Sequence, residues 1–151
     1  MHIGEQPLMQ VTTKGRYAAR IMVYLARYRG GGPAAKQGIA DAEDISIDYV
    51  EQIMIRLKAA QLVRSHRGRN GGFTLAREPG DITLDQIVRA MEGPVCVAPC
   101  LDGTCSRQES CPVRPTWKRA TEAVEAVFRE TTVEAMAREV ACDPRAVCRG
   151  R

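Results

Sequence analysis

Residues 44–75 read DISIDYVEQIMIRLKAAQLVRSHRGRNGGFTL, and this stretch carries the pattern that decides the fold. Ser46 stands where its hydroxyl can accept a hydrogen bond from the free amides of a new helix. Val50, Ile53, Met54 and Leu57 then recur at i, i+3, i+4 and i+7, which seats one face of that helix on a core. Asp48, Tyr49, Glu51, Gln52, Ile55, Arg56 and Lys58 are left on its other faces. Beyond it, Leu62 to Ser65 and Phe73 to Leu75 read as two short strands. Gly68, Asn70, Gly71 and Gly72 lie between them, a hairpin with positions able to take positive φ.

Working upstream, Tyr17, Ala18, Ile21, Met22 and Leu25 fall on one face at helical spacing, and Gly30 to Pro33 ends that pattern. A short helical stretch lies around Lys36 to Ala42. Downstream, Pro79-Gly80-Asp81 closes the hairpin, and Thr83 with Gln86 forms a capping box for a helix whose apolar face is Leu84, Ile87, Val88 and Met91. Gly93-Pro94 stops it. Cys96 to Pro115 has no helical or strand period and reads as an irregular loop. A long final helix follows, with Trp117, Ala120, Val124, Val127 and Phe128 along one stripe, and so continuous an apolar face needs something to cover it.

This order of elements predicts a mainly α chain: a winged helix-turn-helix with a small β-hairpin wing, followed by a long C-terminal helix. The expected divisions are a DNA-binding domain over 9–93, a cysteine-rich loop over 94–115, the long helix and a short following segment over 116–137, and a tail over 138–151. In helix-turn-helix docking the second helix enters the major groove and its N-terminal residues reach base edges. Here those are Asp48, Tyr49, Glu51 and Gln52, with Arg56 further along. Gln can pair bidentately with adenine, and Glu can accept from the cytosine amino group. The wing supplies Arg64, His66, Arg67 and Arg69 with no acid among them, a local concentration of charge suited to a phosphate backbone or a narrow minor groove. A basic hairpin alone is often only a solvated turn; its place after the helix pair carries the DNA reading. His66 is read as a phosphate contact or an exposed ring rather than a metal ligand.

The whole chain is consistent with this. Its 151 residues, 44% of them apolar, suffice for one core plus an appendage but not for two full-size domains. A net charge of +4 is mild and proves no nucleic-acid partner by itself. No apolar run approaches the roughly 20 residues needed to cross a bilayer, and no export signal is visible, so a cytoplasmic protein without a membrane partner is expected. Six cysteines in such a chain point to metal binding or redox sensing before a disulfide framework.

Four of them, Cys96, Cys100, Cys105 and Cys111, are spaced C-x3-C-x4-C-x5-C. A loop this dense in soft thiolates can wrap an iron-sulfur cluster or a zinc ion, and spacing alone does not choose. The absence of C-x2-C pairs tilts away from structural zinc. It also argues, with the lack of a βαβ pattern, against a thiol-disulfide enzyme. Cys142 and Cys148 sit in a polar, Arg-rich tail and read as free thiols.

Four linked motifs are also similar to a known family: residues 9–18 (MQVTTKGRYA), 45–52 (ISIDYVEQ), 67–76 (RGRNGGFTLA) and 82–93 (ITLDQIVRAMEG). Together they resemble the Rrf-two family, which includes the IscR-type and NsrR-type regulators, over about Met9 to Met136. Met1 to Leu8 precede the usual family start, making Met9 a candidate initiator. The resemblance implies a homodimeric transcription factor, without catalytic activity or small-molecule substrate, that binds double-stranded DNA. In it the long helix packs on its twin, a contact to which the apolar stripe here would bring Trp117, Val124, Val127 and Phe128. It implies that Tyr49, Glu51 and Gln52 read the operator, that Glu51 tunes which operators are accepted, and that Arg67 enters the minor groove.

It further implies that Cys100, Cys105 and Cys111 hold an iron-sulfur cluster, 2Fe-2S in preference to 4Fe-4S, whose presence modulates DNA binding. Arg114 stands where IscR-type members place a histidine ligand, and Arg16 where NsrR-type members offer a carboxylate. Cys96 is then the local candidate for a fourth ligand. The alternative is a zinc- or thiol-based redox sensor that binds DNA without a cluster.

Overall fold

The computed structural model describes residues 11–102 and 105–139. Cys142, Cys148 and Met9 lie outside the described residues. Helix α1 (Thr13–Arg27) starts four residues before the expected Tyr17, because the Thr12 hydroxyl caps it by accepting from Gly15 N at 3.3 Å. The carboxylate of Glu92 takes Thr12 N at 2.8 Å and Thr12 Oγ1 at 2.6 Å. That contact ties the start of α1 to the end of a helix some eighty positions away.

Helix α2 (Lys36–Glu43) ends on Asp44, whose φ of 54° is left-handed, a conformation Asp tolerates better than most residues. This makes the tight turn into α3 (Ile47–Ala59), where Ser46 Oγ accepts from Tyr49 N at 3.2 Å as its position predicts. Val50, Ile53, Met54 and Leu57 are all buried, so the i, i+3, i+4, i+7 stripe faces the core.

Strands β1 (Val63–His66) and β2 (Gly72–Leu75) pair antiparallel with Val63 opposite Leu75 and His66 opposite Gly72. Among the hairpin positions expected to take positive φ, Gly68 and Gly72 do, whereas Asn70 and Gly71 do not. The hairpin has a further partner. Phe73 exchanges two 2.9 Å backbone hydrogen bonds with Ala34, fixing the wing to the entry of α2.

A 3-10 turn (Pro79–Asp81) leads to α4 (Leu84–Glu92). Its capping box is formed by Thr83 and Gln86, and Gly93 terminates it at a φ of 83°. Ile87, Val88 and Met91 are buried, and Leu84 is half-buried. The core gathers Ile21, Met22, Ile39, Ile53, Met54, Leu57, Leu62, Ile82 and Ile87 from all these elements. Each such side chain stabilises the fold by about 1.5–3 kcal/mol on burial.

The loop after α4 contains a 3-10 turn (Pro99–Asp102) that its lack of periodicity did not predict. Helix α5 (Arg114–Glu130) has no buried residue. It is held to α4 by Arg89, whose Nε lies 2.9 and 2.8 Å from the Asp85 oxygens and whose Nη2 donates to Glu125 at 2.7 Å. The segment after α5, expected only as a trailing piece, is a helix of its own, α6 (Val133–Arg138), which packs back on α1. Val133 is fully buried, and backbone bonds from Leu84 N to Thr131 O and from Val133 N to Ile82 O, both 2.8 Å, stitch it in. The chain therefore leaves the small domain along α5 and returns to complete its core. No helix among the described residues is long and apolar enough to cross a membrane.

Candidate nucleic-acid interface and cysteine loop

The N-terminal half of α3 stands out from the core on the side opposite Val50 and Leu57. Asp48 and Gln52 are exposed, and Tyr49 and Glu51 are half-buried. Both half-buried side chains are braced from elsewhere. The Tyr49 ring meets Tyr17 of α1 edge-on, with centroids 6.0 Å apart, and the Arg20 guanidinium lies 5.2 Å over Tyr17. Arg20 in turn pairs with Glu43 at 2.6 Å. Burial pushes the Glu43 carboxyl above its usual range, and Arg20 offsets only part of that rise. Glu51 forms an ion pair with Lys36 at the start of α2.

From the sequence, Tyr17 belongs only to a core face, and Lys36 and Arg20 carry no assigned role. No local signal could have found these contacts, because each partner lies on a different helix. Arg56, expected at the DNA surface, donates from Nη1 to the carbonyl of Met91 at 2.7 Å and so braces the last turn of α4.

On the wing, Arg64, Arg67 and Arg69 are all exposed. Arg64 projects from β1 opposite Thr74, and the other two lie in the tip closed by a 3.0 Å bond from Gly71 N to Gly68 O. His66 Nε2 lies 2.9 Å from Thr74 Oγ1 across the hairpin. The wing and the exposed face of α3 thus present polar side chains on a helix and cations on a neighbouring hairpin.

The cysteines lie in the loop between α4 and α5 and at its end. Cys96, Cys100, Cys105 and Cys111 are half-buried free thiols. Cys96 Sγ donates to Ala98 O at 3.0 Å, and the Cys100 carbonyl accepts from Arg114 Nη1 at 2.7 Å. An open cleft of about 410 Å³ is lined by Cys96, Leu101, Arg114, Lys118 and Thr121. Among the described residues no three Cys, His, Asp or Glu side chains are gathered closely enough to hold a metal ion, so the four thiols share a loop but do not converge. Arg16 sits in the first turn of α1 with its guanidinium on Thr13 Oγ1 at 3.2 Å. On α5, Trp117 and Val127 are exposed, 40% and 58%, while Val124 and Phe128 are half-buried.

The sequence profile of the Rrf2 (Rrf-two) family, described as an iron-dependent transcriptional regulator, matches residues 11–139. The chain belongs to the Rrf2 family. It is 39% identical over 129 residues to the HTH-type transcriptional regulator CymR of Bacillus subtilis, covering 85% of this chain and 90% of that one. It is 30% identical over 126 residues to the HTH-type transcriptional regulator IscR of Klebsiella pneumoniae, covering 83% and 77%. The solved structure of CymR, described as the global cysteine regulator of B. subtilis, superposes with a TM-score of 0.73 at 37% identity, covering 86% of this chain and 97% of that one. The chain is accordingly an Rrf2-type transcriptional regulator with the DNA-binding winged helix of its relatives, and not an enzyme.

Proposed function

We propose that the chain acts as a homodimer that binds an operator with α3 in the major groove and the wing against phosphates and the minor groove, and that the cysteine loop is its sensor. The observation that carries this reading is the joint exposure of Gln52 on α3 and of Arg67 and Arg69 on the adjoining wing. The two elements divide the work. Gln52 and Glu51 supply base discrimination, and Arg67 supplies affinity through phosphates and groove potential.

Mutants of the two elements should therefore differ in kind. Arg67→Ala is expected to weaken binding to operator and unrelated duplexes alike and to flatten the salt dependence, because fewer counterions are released. Gln52→Ala should keep the salt slope and lose about 1–3 kcal/mol on the preferred operator only. Glu51→Ala should broaden the set of bound sequences, since it removes a carboxylate from the groove and frees Lys36. Competition binding across a salt series separates these outcomes. Parallel losses for Arg67→Ala and Gln52→Ala on every duplex would show that helix and wing have been misassigned.

For the sensor we propose an iron-sulfur cluster held by Cys100, Cys105 and Cys111, with Cys96 as the fourth ligand. The donor set fits such a group chemically: four free thiols lie in one loop, and the nearby cations Arg114 and Lys118 suit an anionic cluster. Arg114 itself has no acceptor atom and can take no ligand role. When bound, the cluster would supply an iron centre sensitive to iron-sulfur status, redox or nitric oxide. The chain's own part is to couple that loop to α5 through Arg114 on Cys100 O and through Val97 N on Thr121 Oγ1 at 3.2 Å. The second reading is a zinc- or thiol-based sensor without a cluster: separate, half-buried free thiols suit a thiol sensor as they stand, whereas zinc, like a cluster, would need them gathered. Anaerobic purification with visible absorption and iron, sulfide and zinc analysis decides between the two.

The apolar stripe on α5 supports the dimer. Burying Trp117, Val124, Val127 and Phe128 against their symmetry mates makes an isologous contact that removes an exposed patch. Sedimentation at micromolar concentration should give a dimer, and Val127→Glu should shift it toward monomer. A wild-type monomer would rule the interface out.

A further inference from the structure

We propose that Ile55 contacts the methyl group of a thymine in the operator and is a determinant of its sequence. This rests on the reading of α3 as the major-groove helix. Ile55 is 67% exposed, the largest value for a large hydrophobic residue among those described. A lone apolar side chain on a surface is ordinary. Its position is what carries the argument. At about 100° of helical rotation per residue, Ile55 points about 150° away from the mean direction of Val50, Ile53, Met54 and Leu57. Asp48, Glu51 and Gln52 all lie within about 60° of it on the same wheel. Ile55 is thus on the midline of the polar face that the base-reading residues occupy, with Lys58 to one side and Arg56 to the other.

Of the groups that base pairs display in the major groove, the thymine C5-methyl is the apolar one; the rest are hydrogen-bond donors and acceptors. An isoleucine pressed on those would dry them without replacing their bonds to water, which is unfavourable. Against a methyl it gains contact at no such cost. Ile55 therefore favours thymine over cytosine at the position it meets. Three residues past Gln52 and four past Glu51, it lies about 4.5–6 Å further along the helix axis. At about 3.4 Å per base step, that places its thymine about one to two base pairs from the pair read by Gln52.

The test uses the full chain and a duplex enriched by it from a random pool. Each thymine of the enriched duplex is replaced in turn by deoxyuridine, which deletes the methyl alone, and affinity is measured for wild type and Ile55→Ser. For wild type, one thymine per half-site should give roughly fourfold weaker binding on replacement, the worth of about one buried methyl. Ile55→Ser should bind the thymine and deoxyuridine duplexes equally at that position and match wild type at the others. Because Ile55 is exposed, its thermal midpoint should equal that of wild type. Deoxyuridine penalties that are the same in both proteins overturn the thymine contact while leaving the DNA reading intact. Failure to enrich any duplex overturns both.

Discussion

Cys105→Ala is expected to abolish the visible absorption of anaerobically reconstituted protein, with iron and sulfide content falling to background. Cys100→Ala and Cys111→Ala should do the same, whereas Cys96→Ala should leave a weakened or altered chromophore. Each thiolate neutralises part of the iron charge, and water is a poor substitute. Among the described residues the loop offers no further thiol or imidazole; Glu109 in the loop and Glu122 and Glu125 beside Cys96 are hard carboxylate donors, poor stand-ins for a thiolate. Arg114, whose guanidinium has no acceptor atom, is turned onto the Cys100 carbonyl. Arg16 is turned onto Thr13. The loop residues Arg107, Gln108 and Ser110 supply no soft donor. Since the thiols are not gathered in the described structure, ligation would have to bring them together, and loss of one ligand would forfeit that closure too. A Cys105→Ala protein with a full-intensity spectrum would refute the ligand set. A colourless wild type carrying stoichiometric zinc would move the reading to the alternative sensor.

How far the sequence reached depended on the range of the interactions involved. The stripes on α3 and α4 and the caps at Ser46 and Thr83 are local, set by residues within one or two turns, and all of them stand in the structure. Contacts between distant segments left no such trace. Helix α6 is short, with too little periodicity to declare itself, yet Val133 fills the core once Ile82 and Thr131 have brought it there. The bracing of Tyr49 by Tyr17 and of Glu51 by Lys36 joins different helices in each case. Arg56 is legible in part: it is exposed, as its place on that face suggests, but its bond from Nη1 to Met91 O has no trace in the local sequence. The cysteine spacing disclosed a shared loop, but convergence on a ligand is a property of three-dimensional placement.

Gly72→Ala is expected to destabilise the fold by about 3 kcal/mol, combining about 1–3 for overpacking with the loss of a backbone hydrogen bond worth about 0.5–1.5. Sequence alone suggested a glycine needed for turn geometry. The structure adds a steric reason. A Cβ on Gly72 would stand 2.3 Å from Ala34 O, 2.6 Å from Ala34 C and 3.0 Å from Ala35 N. All three are backbone atoms, so no rotamer change relieves the clash. Ala34 is itself buried, and Ala35 is the N-cap of α2. Either the entry to α2 shifts, or β2 moves off and breaks the paired bonds between Phe73 and Ala34. In both cases the wing loses its fixed orientation to α3, so operator affinity should fall together with stability. Gly68→Ala is the informative comparison. Its φ is +105° with open space around it, so the cost is conformational, about 1–2 kcal/mol, and confined to the tip. Urea unfolding of the three proteins should therefore rank wild type, Gly68→Ala and Gly72→Ala in falling order of stability. If Gly72→Ala unfolds at the wild-type midpoint, the backbone approach between Ala34 and the wing is not a feature of the folded protein.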